Sequence, residues 1–168
     1  MFPFSISLHR IYQKMQPMPK TIIADTSCFI ILTNINELDI LHKVYGEIIT
    51  TIDIATEYGD PLPKWVEIVA VKDKYKQQIL ELQIDKGESS AIALALETPD
   101  SIVILDDYKA RKIAAQLGIN LTGTIGVLIK AKIRGIIPSI KPFLKRIKER
   151  GFHLSVEIEL QALKEANE

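Results

Sequence analysis

From Thr21 onward, short β-branched runs alternate with segments in which apolar residues recur every three or four positions. These are the periods of a buried strand and of a helix with one apolar face. The first run, Thr21-Ile22-Ile23-Ala24, ends in Asp25. Further strands are expected over 47–51, 65–71, 101–105 and 119–121, the run at 101–105 being the most continuous. Short runs without polar alternation suit parallel strands covered on both faces. Between them, Thr26 and Ser27 offer capping hydroxyls for a helix carrying Phe29, Ile30 and Leu32, and Asn36 offers a cap for one carrying Leu38, Leu41 and Val44. A short helix is expected through Ile54 to Glu57, then a loop at 59–63, and a longer helix over 74–84. Lys86-Gly87-Glu88 interrupts the pattern before an alanine- and leucine-rich helix at 89–96, which is expected to be buried on much of its surface. Ala110, Ile113, Ala114 and Leu117 mark a helix with Gly118 just past its end, and Thr122-Gly123-Thr124 leads into another ending near Gly135. Pro138 lies near the start of a further helix that stops at Gly151, and Ser155 can cap a last one.

Strands alternating with helices of this length predict βαβ units, hence an α/β sandwich with a mainly parallel sheet. Folds of this kind bind ligands at the carboxyl ends of their strands, near the reversal of strand order. Residues 1–20 carry neither period and are expected to form a mobile extension. Residues 21–168 hold no repeat, low-complexity stretch or linker, so they are read as a single domain with a basic C-terminal helical part.

Composition adds exclusions. A lone cysteine cannot form an internal disulfide. No apolar run approaches the ~20 residues needed to cross a bilayer, and the first 20 residues lack the apolar core and cleavage site of a signal peptide. A cytoplasmic protein without membrane contact is expected. The net charge of zero conceals two opposed halves. From Asp25 to Tyr108 there are 16 Asp and Glu against 6 Lys and Arg; from Lys109 to Arg150 there are 11 Lys and Arg against Glu149 alone. Such asymmetry suits a polyanionic partner or a metal site, and equally a solvated basic surface.

The acids at strand ends carry the chemical interest. Asp25 follows the first strand and Asp106-Asp107 the most continuous one, so all three share one edge if the strands are parallel. Glu57 closes the short helix after the second strand, and Glu88 opens the alanine-rich helix. Carboxylates gathered in one place repel one another unless a cation lies between them. Oxygen ligands without a His or Cys cluster favour Mg²⁺ or Mn²⁺. Each acid also has a local use: a helix cap for Asp25, Asp106 or Asp107, a dipole partner for Glu88, a solvated position for Glu57. Cys28 reads as a buried core residue, Trp65 as an apolar clamp, and His9, His42 and His153 are too scattered for a zinc site. No glycine-rich phosphate loop occurs.

Taken together these segments resemble the PIN-domain nucleases. Asp25-Thr26-Ser27 after its strand looks like the family's opening motif, Thr56-Glu57 like its second acid, and Gly87-Glu88-Ser89 with the following alanines like its third element. Leu105-Asp106-Asp107-Tyr108 resembles the fourth, with Asp107 the better match, and Gly123-Thr124 the closing Gly-Thr segment. The five elements agree in order and spacing over residues 21–135. The tail with Gly151-Phe152-His153 resembles a PIN-like branch of bacteria and archaea. The resemblance implies a three-layer α/β/α sandwich with a mainly parallel central sheet. It further implies an Mg²⁺- or Mn²⁺-dependent ribonuclease, similar to the toxin of VapBC-type toxin–antitoxin pairs. Its metal would be held by Asp25, Glu88 and Asp107, with Asp106 and Glu57 as direct or water-mediated ligands. Thr26, Ser27 and Thr124 would orient those ligands or touch phosphate, and products would carry a 5′-phosphate and a 3′-hydroxyl. An RNA substrate, an antitoxin protein and a homodimer are the partners this implies.

An acidic pocket needs cations at its rim to admit a polyanion. Lys109, Arg111 and Lys112 beside Asp107, and Lys130, Lys132 and Arg134 after the Gly-Thr segment, are candidates for RNA contact. Lys141, Lys145, Arg146 and Lys148 recur at helical spacing and offer a second basic face. Few aromatic residues interleave this region, so stacking of bases on exposed rings is not expected. Two other acid-bearing α/β classes fail on their motifs. A phosphoaspartate receiver needs its acidic pair after the first strand, and a haloacid-dehalogenase-type phosphatase needs a second Asp two residues after Asp25, where Ser27 stands. The competing reading is a catalytically silent PIN-like module that binds RNA or an antitoxin.

Overall fold

The computed structural model describes residues 21–168; the extension expected over 1–20, with His9, lies outside them. Five strands form one sheet: β1 (Thr21–Ala24), β2 (Ile48–Thr51), β3 (Val66–Val69), β4 (Ser101–Ile104) and β5 (Asn120–Thr122). All pairings are parallel and the order is β3-β2-β1-β4-β5. The chain walks outward from β1 to β3, then returns to lay β4 on the other side of β1. That return makes the carboxyl ends of β1 and β4 the switch point where such sheets place ligands. Ala24 is in register with Ile104, and the Asp25 amide bonds the Ile104 carbonyl at 3.2 Å. The acids that follow these two strands therefore leave the sheet side by side.

The helices follow in chain order: α1 (Thr26–Asn34), α2 (Asp39–Tyr45), α3 (Ile52–Tyr58), α4 (Lys74–Glu81), α5 (Lys86–Glu97), α6 (Tyr108–Gln116), α7 (Thr124–Ile133), α8 (Lys141–Glu149) and α9 (Val156–Glu165). The architecture is the three-layer α/β/α sandwich. Helix α5 lies across β1, β2 and β4 and packs on α3 and α4, while α7 packs on α1, α2 and α9. Ile23, Phe29, Leu32, Leu41, Ile92, Ile104, Leu105 and Leu128 are fully buried between the layers. At roughly 1.5–3 kcal/mol per large apolar side chain buried, this core is the main stabilising term. Helix α5 is buried from Gly87 to Ala95, as its alanine-rich composition predicts.

Several boundaries differ from expectation for local reasons. Asn36 is no cap: it takes a left-handed turn (φ 58°), and α2 starts later, at Asp39. Helix α5 begins at Lys86 rather than 89, because the Asp85 carboxylate accepts from the Glu88 amide (2.9 Å) and draws Gly87 and Glu88 into its first turn. Helix α8 starts at Lys141, three residues past Pro138, with Pro142 in its first turn. Gly118 and Ser155 act as expected: Gly118 takes φ 74° past the end of α6, and Ser155 accepts from the Ile158 amide at 3.2 Å. Trp65 stacks on His42, with ring centroids 5.2 Å apart. Among the described residues no helix is long and apolar enough to cross a membrane.

Candidate active site

Asp25 stands where β1 ends and α1 begins. Its backbone occupies the cap position, yet its side chain caps nothing. The residue is 2% exposed, and its Oδ1 is buried without a hydrogen-bond partner among the described residues. A buried carboxyl oxygen left in that condition is costly and calls for an explanation. Burial pushes the Asp25 carboxyl up to about 7; the Thr26 amide opposes this, while the charges of Glu88, Asp85 and Glu57 add to it. Glu88, on the first turn of α5, is also buried and pushed up to about 7, by burial first and then by Asp85, Asp107 and Glu57. Four separate segments thus bring carboxyls close enough to resist one another's ionisation.

Gly87 shows how close they come. A Cβ at this position would collide with Glu57 Oε2 and lie 3.4 Å from Thr26 Oγ1 and 3.6 Å from Asp85 Oδ1. The first turn of α5, the end of α3 and the start of α1 therefore meet around a residue with no side chain. Thr26 Oγ1 donates to Glu57 Oε2 at 2.6 Å and holds that acid against α1. This replaces the capping role expected of Thr26, since Asp25 already occupies the cap position.

The remaining acids divide. Asp107 is exposed and caps α6, accepting from the Ala110 amide at 2.9 Å through Oδ1. Asp106 has both oxygens taken by one residue: Thr124 donates to Oδ1 through its amide (2.8 Å) and to Oδ2 through its hydroxyl (2.6 Å). Asp106 thereby ties the end of β4 to the start of α7, and Thr124 is committed to holding it. Ser27 is half-buried beside Asp106 and Thr124 in a shared cleft.

Among the described residues no three acidic, His or Cys side chains stand close enough together to hold an ion as placed. Helix caps account for part of this, because Asp85 and Asp107 each direct one oxygen to a helix amide. The donor chemistry nevertheless fits a hard divalent cation: carboxyl oxygens, an orphaned one on Asp25, and mutual repulsion for a cation to relieve. Asp85 was missed in the sequence. Its signal was present as the Asp-x-x-Glu spacing to Glu88, the pattern of an acid capping a helix that an acid also opens.

The cations fall into two groups. Lys109 and Lys112 are exposed on α6, whose cap is Asp107, and Arg111 donates to the Leu105 carbonyl at 2.7 Å, one residue before Asp106. Lys130, Lys132 and Arg134 lie toward the far end of α7, about 9–15 Å from its start at 1.5 Å per residue. There Lys130 sits 4.9 Å over the Tyr45 ring, Lys132 donates to the Ala166 carbonyl (2.9 Å), and Arg134 donates to the Val44 carbonyl. The fold does not bring these three to the acids.

An all-parallel sheet whose switch point gathers acids that follow β1 and β4 or lie on α3 and α5 defines an acid-lined site of the open α/β class. A family model described as a PIN domain matches residues 21–168, and the chain belongs to that family. PIN domains are generally nucleases, and those nucleases generally use divalent metal ions. No curated protein and no solved structure matches the chain.

Proposed function

We propose that this protein is an Mg²⁺- or Mn²⁺-dependent endoribonuclease, the toxin of a toxin–antitoxin pair, acting as a homodimer in the cytoplasm. The observation that carries the reading is the buried, unpartnered Oδ1 of Asp25 among Glu88, Glu57 and Asp85 at the sheet's switch point. Asp25, Glu88 and Asp107 would hold the ion, with Glu57 and Asp85 beside them as direct or water-mediated ligands. A bound divalent ion acidifies water and screens the charge that builds on an attacked phosphate. Thr26 fixes Glu57, and Thr124 with Asp106 fixes the start of α7, so these residues position the edge rather than contact the ion. Lys109 and Lys112 supply exposed positive charge beside Asp107 for the incoming strand. The homodimer draws support from α4, where Tyr75 and Ile79, with Leu82 just past its end, form an exposed apolar stripe at helical spacing, 64–84% exposed. The toxin role rests on the resemblance of residues 21–135 alone.

One observation favours the silent binding module instead: Asp106 is fully engaged, and Asp85 and Asp107 are each half engaged. Cleavage of a labelled single-stranded RNA pool, with Mn²⁺ and with EDTA, separates the two readings. Metal-dependent cutting by the wild type that disappears in Asp25→Asn supports the nuclease. Retention of RNA by well-folded protein, without cutting in any metal, supports the module.

A further inference from the structure

The Gly151-Phe152-His153 segment and helix α9 have no part in the acid site, yet they enclose space next to it. A cleft of about 870 Å³ runs from Ser27, Asp106 and Thr124 at the acid-bearing edge to the inner face of α9. Its volume falls within the ~300–1,000 Å³ range of pockets that take small organic ligands. The walls are mainly apolar, with Ile125, Phe152, Leu154 and Ile158 among them. At its far side Glu157, Gln161 and Glu165 repeat every four residues, so they share one face of α9. Gln161 donates to Glu165 at 2.7 Å and steadies it.

This lining selects an occupant. Arg111 and His153 also line the cleft and suit the phosphate that a nucleotide carries, while Glu157 and Glu165 suit N–H donors and the apolar walls suit a ring. A flat, largely apolar ring that carries N–H donors satisfies both the acids and the walls. Single-stranded RNA is read in this way, with splayed bases stacked on a side-chain ring and bonded at their edges. Guanine places two neighbouring donors, N1–H and the N2 amino group, where a carboxylate accepts both. Phe152 supplies a half-buried ring for stacking. We infer that the cleft between α7 and α9 is a nucleobase pocket that receives a guanine of the RNA strand adjoining the phosphate at the acid edge. The inference rests on the nuclease reading for the strand that delivers the base, but the pocket itself is testable without cleavage.

The test titrates the metal-free full chain, in EDTA, with guanosine 5′-monophosphate and with the adenosine, cytidine and uridine monophosphates, following backbone amide shifts. Saturable shifts at Ile125, Phe152 and Gln161, strongest for guanosine monophosphate, are expected. Glu157→Gln and Glu165→Gln, both surface changes, should each weaken that binding about tenfold, and Phe152→Leu should weaken all four ligands. No saturable shift at these residues, or equal binding of the four ligands unchanged by the Glu variants, overturns the inference. A second arm maps cut sites in a random RNA pool with Mn²⁺. Guanosine monophosphate binding without any cutting leaves the pocket standing and removes the nuclease. Cutting without guanine preference, and without guanosine monophosphate binding, removes the pocket and leaves the nuclease.

Discussion

At the carboxyl edge of β1 and β4, acids crowd together and Asp25 keeps a buried oxygen without a partner. In the basic C-terminal part most cations are tied to the protein itself. Arg146 pairs with Glu37 (2.8 Å) and donates to the Ile35 carbonyl (3.0 Å); Lys148 pairs with Glu159 (2.6 Å); Lys132 holds the Ala166 carbonyl. Glu168 answers from the other side, accepting from Ser139 (2.6 Å) and the Ile140 amide (2.7 Å). The two charge blocks look symmetrical in the sequence but do different work. The acidic block leaves carboxyls in conflict for something external to resolve, whereas the basic block fastens α8 and α9 onto the sandwich.

Asp25→Asn should break this contrast most severely. Removing one carboxyl from the cluster is expected to lower metal-dependent RNA cleavage by at least about a thousandfold, the scale of losing a group that holds a catalytic ion. The same change should raise metal-free stability near pH 7.5, because it removes a buried charge that repels Glu88. Cleavage assays and thermal melts in EDTA on the same preparation check both outcomes. Loss of activity with loss of stability would instead mean that Asp25 serves the fold.

That conflict is also readable with pH. The Asp25 and Glu88 carboxyls sit at about 7 in the folded protein, against ordinary values of 3.8 and 4.5. Between these limits the folded chain binds more protons than the unfolded one, so stability falls as pH rises from about 4 to about 7, then levels off. For Asp25 the loss is on the order of 4 kcal/mol. The melting difference between wild type and Asp25→Asn should therefore widen from pH 5 to pH 7.5 in EDTA. Mn²⁺ should shrink it, since the ion binds the deprotonated carboxyls.

The sheet and its acid edge were legible because both depend on local pattern: β-branched runs mark the strands, and Asp25 and Asp106-Asp107 directly follow two of them. What the pattern could not tell is where each side chain turns. Asp106 and Asp107 are neighbours in sequence, yet one closes onto Thr124 and the other caps α6. Asp85 shows in the sequence only a capping spacing to Glu88; that the cap of α5 also stands beside Glu57 follows from the fold. The basic residues were hardest to place, since Arg146 meets Glu37 only after α8 folds back over the α1–α2 loop. A helical charge period shows that a face exists but not what it touches.

The fastening role of the C-terminal bases gives a smaller, separate effect. Arg146→Ala removes two hydrogen bonds from a guanidinium that is about 39% exposed, so solvent screening holds the cost to about 1 kcal/mol. A shift of a few degrees in the melt is expected, with RNA affinity unchanged. Weakened RNA binding without a stability change would move Arg146 out of the structural group.

Lys109 and Lys112 give the opposite signature on the smallest scale. Both are exposed on α6 beside Asp107, and neither fastens one element to another. If they neutralise phosphates, each contributes about 0.7 to the slope of log K against log salt for a single strand. Lys109→Ala and Lys112→Ala should therefore each lower that slope by about 0.7, weaken RNA binding at low salt, and leave the melt where it was. Lys132→Ala is the matched control, because its Nζ holds the Ala166 carbonyl at the far end of α7. It should lower the melt and leave the salt slope alone. A slope that drops for Lys132 and not for Lys109 or Lys112 would put the RNA path over the C-terminal helices and reverse the assignment of the two cation groups.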